Sequence, residues 1–221
     1  MNTAQPIMSG GTILGTFAAI DFETATASRD SACAVGLTVF ENWKVADSKS
    51  WLIQPPDNRY DAFNTRIHGL QAADTADAPT FSEIWPQVEQ RIAGRLVVAH
   101  NTAFDLNVLQ RSAAYTSCVV NDMRFICTYR LAKQTWPERW SYKLYDLAED
   151  FGIELDHHNA LSDAAAAGEL VAHICKANGV PDLESAAEYL GFRIGELTQQ
   201  SYAGFSNAKG ASGRVNLANL E

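Results

Sequence analysis

No apolar run in this chain approaches the roughly 18 to 20 residues that span a bilayer, and the amino terminus lacks a charged start followed by an apolar stretch and a cleavage site. Neither a membrane helix nor a secretion signal is expected, so the default is a soluble cytoplasmic protein. Cysteine is sparse and scattered: Cys33, Cys118, Cys127 and Cys175 form no CxxC pair. A zinc knuckle and a disulfide framework are both unsupported, and buried free thiols are the expectation. Positive charge is in deficit too, with 17 Lys and Arg against 26 Asp and Glu and a formal net charge of -9. That sign is wrong for a protein that grips long duplexes by counterion release. It suits nucleic acid only where carboxylates converge on one site, so that divalent cations become the local positive charge that meets phosphate.

What is present can build a core. The 221 residues are 47% hydrophobic, enough for one large domain followed by a tail. Residues 16–22 (TFAAIDF) and 32–40 (ACAVGLTVF) read as buried strands, and a third run near 44–53 ends at Pro55-Pro56. Their spacing predicts an antiparallel start to a sheet. Thr80 and Glu83 make a capping-box signature, after which Phe81, Ile84, Trp85, Val88 and Ile92 recur at helical spacing, with Pro86 as the one blemish. Residues 96–99 read as another strand, 103–114 as a helix and 125–131 as strand passing into helix. Ser141 is placed to cap a helix whose stripe is Leu144, Leu147, Ala148 and Phe151, stopped by Gly152. An alanine-rich helix spans about 161–177, and 182–190 is a last short one. This strand-helix order is that of an α/β protein. Beyond Arg193 the composition turns to Gly, Ser, Asn, Gln and Ala, as in a linker or polar tail. The expected domains are therefore an extension over 1–15, a domain over 16–192 and a tail over 193–221.

Three acidic segments carry the chemistry. Asp21 and Glu23 lie two apart at the end of an apolar strand, and period two puts both on one face. Ionised carboxylates held that close repel, so the pair calls for a cation, a proton or an arginine. Taken alone, an acidic pair of this kind is common. His100-Asn101-Thr-Ala-Phe104-Asp105 follows the strand at 96–99 and sets Asp105 in the first turn of a helix, where the helix dipole favours an acid in any case. His158-Asn-Ala-Leu-Ser-Asp163 opens the alanine-rich helix, where Ser162 or Asp163 equally suits a helix start. Residues after the carboxyl ends of strands line ligand crevices in α/β sheets. Together the three segments point to one acidic site.

In this order and spacing the chain resembles the DEDDh, or DnaQ-like, 3′-5′ exonucleases, the family of the bacterial DNA polymerase III proofreading subunit and ribonuclease T. Asp21-Phe-Glu23, His100-Asn-x-x-Phe-Asp105 and His158-x-Ala-x-x-Asp163 carry the resemblance, together with Ile67-His68-Gly69-Leu70, which looks like the family's IHG element. The resemblance implies a ribonuclease H-like fold with a mixed central sheet and helices on both faces. It also implies two divalent cations, Mg2+ or Mn2+: Asp21, Glu23 and Asp163 would hold one and Asp21 would bridge to the second, with Asp105 nearby, directly or through water. Hard carboxylate oxygens suit such ions. His158 would be the general base, and the adjacent His157 is given no catalytic role. Thr24, Ile67, His68, Asn101 and Phe104 match the positions that bind the terminal nucleotide. Where the commoner pattern reads Asp-x-Glu-Thr-Thr-Gly, this chain has Ala25-Thr26 after Thr24, which puts contacts at the 3′ terminus in doubt.

The expected function is hydrolysis at the 3′ end of single-stranded or frayed nucleic acid, with DNA favoured over RNA trimming. The rival is a non-catalytic module of the same fold. Expected partners are nucleic acid 3′ ends and, through the tail, a polymerase or other protein, with no membrane.

Overall fold

The computed structural model describes residues 16–199, 201–208 and 215–216. The expected extension over 1–15 lies outside them, as do residues 200, 209–214 and 217–221 of the expected tail. The first three strands are β1 (Phe17–Thr24), β2 (Ala32–Glu41) and β3 (Lys44–Leu52), an antiparallel meander as predicted. β3 is the sheet edge, and its exposed Lys44 and Asp47 and half-buried Lys49 are the charges that keep an edge strand from pairing further. Two helices follow, α1 (Ala62–His68) and α2 (Phe81–Ile92). α1 was not legible in the sequence. Its seven residues bury nothing, so no periodic stripe marks it; it is held instead by its ends, with the Asp61 carboxylate accepting the Asn64 N–H at 2.9 Å and Gly69 closing it in the left-handed region.

β4 (Leu96–Ala99) and β5 (Met123–Cys127) run parallel to β1, joined by α3 (Thr102–Thr116). After them come α4 (Thr128–Thr135), α5 (Leu144–Phe151), α6 (Ala160–Asn178) and α7 (Leu183–Tyr189). Ser141 does not cap α5. Lys143 holds the cap position, while the Ser141 hydroxyl bonds the Asp146 carboxylate at 2.6 Å.

The last strands are β6 (Phe192–Arg193), β7 (Gly195–Leu197), β8 (Ser201–Ala203), β9 (Ser206–Asn207) and β10 (Val215–Asn216). The change of composition at 193 is therefore not where the sheet stops. β7, β8 and β10 extend the central sheet to eight strands in the order β10-β8-β7-β5-β4-β1-β2-β3, and β6 pairs with β9. Strands of two or three residues have no hydrophobic run by which to be recognised.

Both faces of this mixed sheet are covered. On β1 the even positions meet α2, with the Phe22 and Phe81 rings 6.5 Å apart, and the odd positions share the face that carries α6. That second face depends on glycine. Gly36, opposite Asp21, lies so close to the start of α6 that a Cβ there would fall 2.2 Å from the Ala160 carbonyl carbon. Within α6, a Cβ on Gly168 would fall 2.1 Å from the Phe40 ring. The glycines and the alanine run around them are what let the helix lie against β1 and β2. Cys33, Cys127 and Cys175 are buried and Cys118 half-buried, all as free thiols. Among the described residues no helix is long and apolar enough to cross a membrane.

Candidate active site

The site forms where β1 outruns its neighbour. β4 pairs with β1 only over Phe17–Ala19, so the end of β1 that carries Asp21 and Glu23 projects beyond the parallel strand. The Phe22 N–H donates at 3.1 Å to Oδ1 of Asp105, from the first turn of α3. Asp105 is buried to 1% exposure, so this bond fixes a carboxylate that otherwise has little access to water. From the opposite side, α6 brings Asp163, itself 4% exposed. Asn159 caps α6 by accepting the Leu161 N–H at 3.2 Å, and the Asp163 carboxylate accepts the His158 N–H at 2.9 Å.

The result is convergence of side chains far apart in sequence. Carboxylate oxygens of Asp21, Glu23 and Asp163 lie within 4.8 Å of one another, a separation that one cation can bridge. Asp105 is not part of this triplet and stands beside it on the Phe22 amide. A second group of possible ligands, His157, His158 and Asp163, shares Asp163 with the first. His157 Nδ1 sits 3.1 Å from Asp163 Oδ1, and the two imidazoles stack with centroids 3.8 Å apart. His158 adopts a φ of 69°, left-handed backbone that turns the chain sharply into α6.

The electrostatics are those of anions short of a counter-charge. Burial, reinforced by Asp105, Asp163 and Glu23, raises the Asp21 pKa well above its ordinary value. Burial and then Asp163 and Asp105 push Glu23 up from 4.5 to about 8. Burial likewise pushes Asp105 up to about 8, against the opposing pull of its hydrogen bonds. His158 moves the other way: burial and the neighbouring His157 lower its pKa. A raised carboxyl pKa means that the folded chain keeps a proton that the unfolded chain has released. Stability of the cation-free protein should therefore fall as pH rises from 4.5 to about 8. Melting curves in EDTA should show that fall, and Glu23→Gln should make it shallower; a curve as steep as that of wild type would show that Glu23 does not titrate in this range.

A family model described as exonuclease, RNase_T, matches residues 18–171. This chain belongs to that exonuclease family. Relatives of the exonuclease domain include a PolC-type DNA polymerase III of Caldanaerobacter subterraneus, 29% identical over 171 residues that make up 75% of this chain and 12% of the relative. A 3′-5′ exonuclease DinG of Staphylococcus saprophyticus is 31% identical over 160 residues, 70% of this chain and 17% of the relative. The chain thus spans less than a fifth of either relative. Among solved structures, exonuclease X in complex with 5′-overhanging duplex DNA superposes with a TM-score of 0.64 at 23% identity, covering 79% of this chain and 99% of that one. The nuclease domain of the DEDDh member 3′hExo, bound to rAMP, does so with a TM-score of 0.62 at 13% identity, over 74% and 92% of the two chains. The fold is ribonuclease H-like, as the motifs implied.

The positions matched to nucleotide binding differ in their surroundings. Thr24 is buried, and its carbonyl oxygen accepts from Asn64 Nδ2 at 2.7 Å and faces His68 Nε2 at 3.1 Å. Because His68 Nδ1 accepts the Leu70 N–H at 3.1 Å, Nε2 carries the proton and donates to Thr24. Asn64, missed in the sequence, thus organises the end of β1. Ile67 remains 38% exposed. Asn101 lies at the start of α3 with a φ of 72° and no side-chain cap bond, and Phe104 packs partly into the core. His100 is locked by contacts of Nδ1 with Thr128 Oγ1 at 3.0 Å and of Nε2 with the Tyr142 carbonyl at 2.8 Å. Burial lowers its pKa to about 4, so it is a neutral packing histidine.

Gly36 was also missed. A glycine within an apolar strand was the available signal. Gly36→Ala should push α6 away from β1, costing about 1–3 kcal/mol of stability and widening the Asp21 to Asp163 gap. Chemical denaturation measures the first effect, and an unchanged midpoint would show that α6 yields freely.

Proposed function

We propose that this protein is a two-metal 3′-5′ exonuclease that hydrolyses the terminal phosphodiester of single-stranded or frayed nucleic acid, DNA in preference to RNA. It would act in the cytoplasm and release nucleoside 5′-monophosphates. The observation that carries the reading is the meeting of Asp21, Glu23 and Asp163 within 4.8 Å in a family whose model describes an exonuclease.

The donor set fits divalent cations. Hard oxygens of three carboxylates, with Asp21 and Glu23 held above their ordinary pKa by burial and by their acidic neighbours, form a site that a Mg2+ or Mn2+ ion would stabilise by replacing protons. In this reading Asp21, Glu23 and Asp163 would hold one ion and Asp21 would contribute to a second, with Asp105 nearby on the Phe22 amide. The ions supply the charge that lowers the pKa of the attacking water and stabilises the leaving 3′ oxygen. His158 accepts the proton of that water. Its lowered pKa keeps the imidazole neutral, hence basic, at neutral pH. His157 lies on the Asp163 carboxylate and orients it.

Terminal-nucleotide binding falls to the exposed Ile67 and to His68, which holds the Thr24 carbonyl at 3.1 Å, together with Thr24, Asn101 and Phe104. Stacking on such side chains is tolerant of sequence, as degradation of any terminus requires. The PolC-type DNA polymerase III relative supports DNA as the substrate and a polymerase as a partner, for which the tail over 193–221 is the candidate contact. The test is parallel digestion of 3′-labelled DNA and RNA oligonucleotides with Mg2+. Faster release from DNA is expected. Faster release from RNA reverses the preference, and no release from either contradicts the function.

A further inference from the structure

The loop leaving β1 is where this chain departs from Asp-x-Glu-Thr-Thr-Gly, and it is tightly closed. The Ala25 N–H donates to the Ser31 carbonyl at 2.8 Å, the Thr26 N–H to Ser31 Oγ at 3.1 Å, and Ser31 Oγ bonds the Ser28 carbonyl at 2.6 Å. So folded, the loop lays Arg29 across the start of α3. The guanidinium carbon lies 4.1 Å from the centre of the Phe104 ring, one residue before Asp105. Among the described residues it has no ion-pair partner and no hydrogen-bond acceptor. Its charge nevertheless reaches Asp105 and opposes the rise that burial imposes on that carboxyl. An arginine with its five donors unspent, beside a cluster of carboxylates, is unusual in a chain of net charge -9.

We infer that Arg29 is a substrate-binding residue, whose guanidinium is steadied on the Phe104 ring and grips a phosphate of the strand being degraded. This rests on the exonuclease reading above. The planar fork of a guanidinium matches two non-bridging phosphate oxygens, which the point charge of lysine does not. The ring face restricts the side chain before substrate arrives, so less rotamer freedom is lost on binding. The carboxylates would hold the cations that meet the reacting phosphate, and Arg29 is a fixed positive charge of the chain itself for a neighbouring one.

The test compares wild type, Arg29→Lys and Arg29→Gln on single-stranded DNA with Mg2+. Arg29→Gln is expected to raise KM about tenfold, the loss of one charge-assisted contact, with a much smaller change in kcat. The salt dependence of log(kcat/KM) should become shallower by about 0.7, one phosphate contact on a single strand. Arg29→Lys should recover only part of the KM. Substrates with one neutral methylphosphonate linkage supply the readout that a merely structural role would not move: at one linkage wild type is weakened while Arg29→Gln is not weakened further. Wild-type KM and salt dependence in Arg29→Gln, or equal sensitivity of both proteins to every linkage, would overturn the assignment. Absence of Mg2+-dependent release by wild type would instead overturn the exonuclease reading, and this inference with it.

Discussion

Asp21→Asn should lower nucleotide release by about 1000-fold or more and, in the same protein, raise the melting temperature measured in EDTA at alkaline pH. The two effects have one cause. Asp21 is pressed by Asp105, Asp163 and Glu23 as well as by burial, so in the absence of cations its negative charge strains the fold. An amide of the same shape removes that charge and should raise the melting temperature by a few degrees in a protein of this length. With Mg2+ present the sign reverses. In the proposed two-metal reading Asp21 would be a ligand of both ions, and its loss would forfeit several kcal/mol of charge stabilisation in the transition state; about 4 kcal/mol is 1000-fold. Kinetics with a 3′-labelled oligonucleotide and melting curves with EDTA or Mg2+ measure both sides. A variant that loses activity and also loses EDTA stability would make Asp21 an ordinary structural acid, and one with wild-type turnover would remove it from the site.

His158→Ala should lower kcat by roughly 100- to 10,000-fold, the range for loss of a general base, while leaving Mn2+ affinity largely intact. The contact from this residue to Asp163 is made by its backbone N–H, which survives the substitution. Because His158 takes a φ of 69°, alanine adds some backbone strain there, and His158→Asn, a residue that tolerates left-handed backbone, serves as the folding control. In wild type the acid limb of kcat should lie below 6.5, since the pKa is lowered from that value; the neutral base is present above the limb and lost below it. The limb should vanish in both variants. His157→Ala should cost less, through looser placement of Asp163. Equal loss from His157→Ala, or retention of the limb in His158→Ala, would exchange the roles of the two imidazoles.

The sequence made some of this legible and hid the rest for identifiable reasons. Apolar strands and long amphipathic helices announce themselves by period, which is why β1, β2, α2 and α6 were placed within a residue or two. The convergence of Asp21, Asp105 and Asp163 was suggested by acids at strand and helix ends in family order, but their separations were not. Those depend on Gly36, whose missing side chain admits α6, and on β4 ending early enough to free the Phe22 amide. Neither is a pattern in a sequence; both are consequences of register. α1 and the three-residue strands β7 and β8 were too short to show an apolar period. Arg29 was overlooked because a charged residue in a serine-rich loop reads as solvated, and only folding sets it on Phe104.

The central claim is that the acids of β1 and α6 hold divalent cations. Anomalous diffraction from a crystal soaked in Mn2+ tests it directly. Strong density bounded by Asp21, Glu23 and Asp163, with a weaker neighbour next to Asp21, is the predicted result. A soaked crystal with no density there, or with a lone ion bound by His157 and His158 instead, would contradict it.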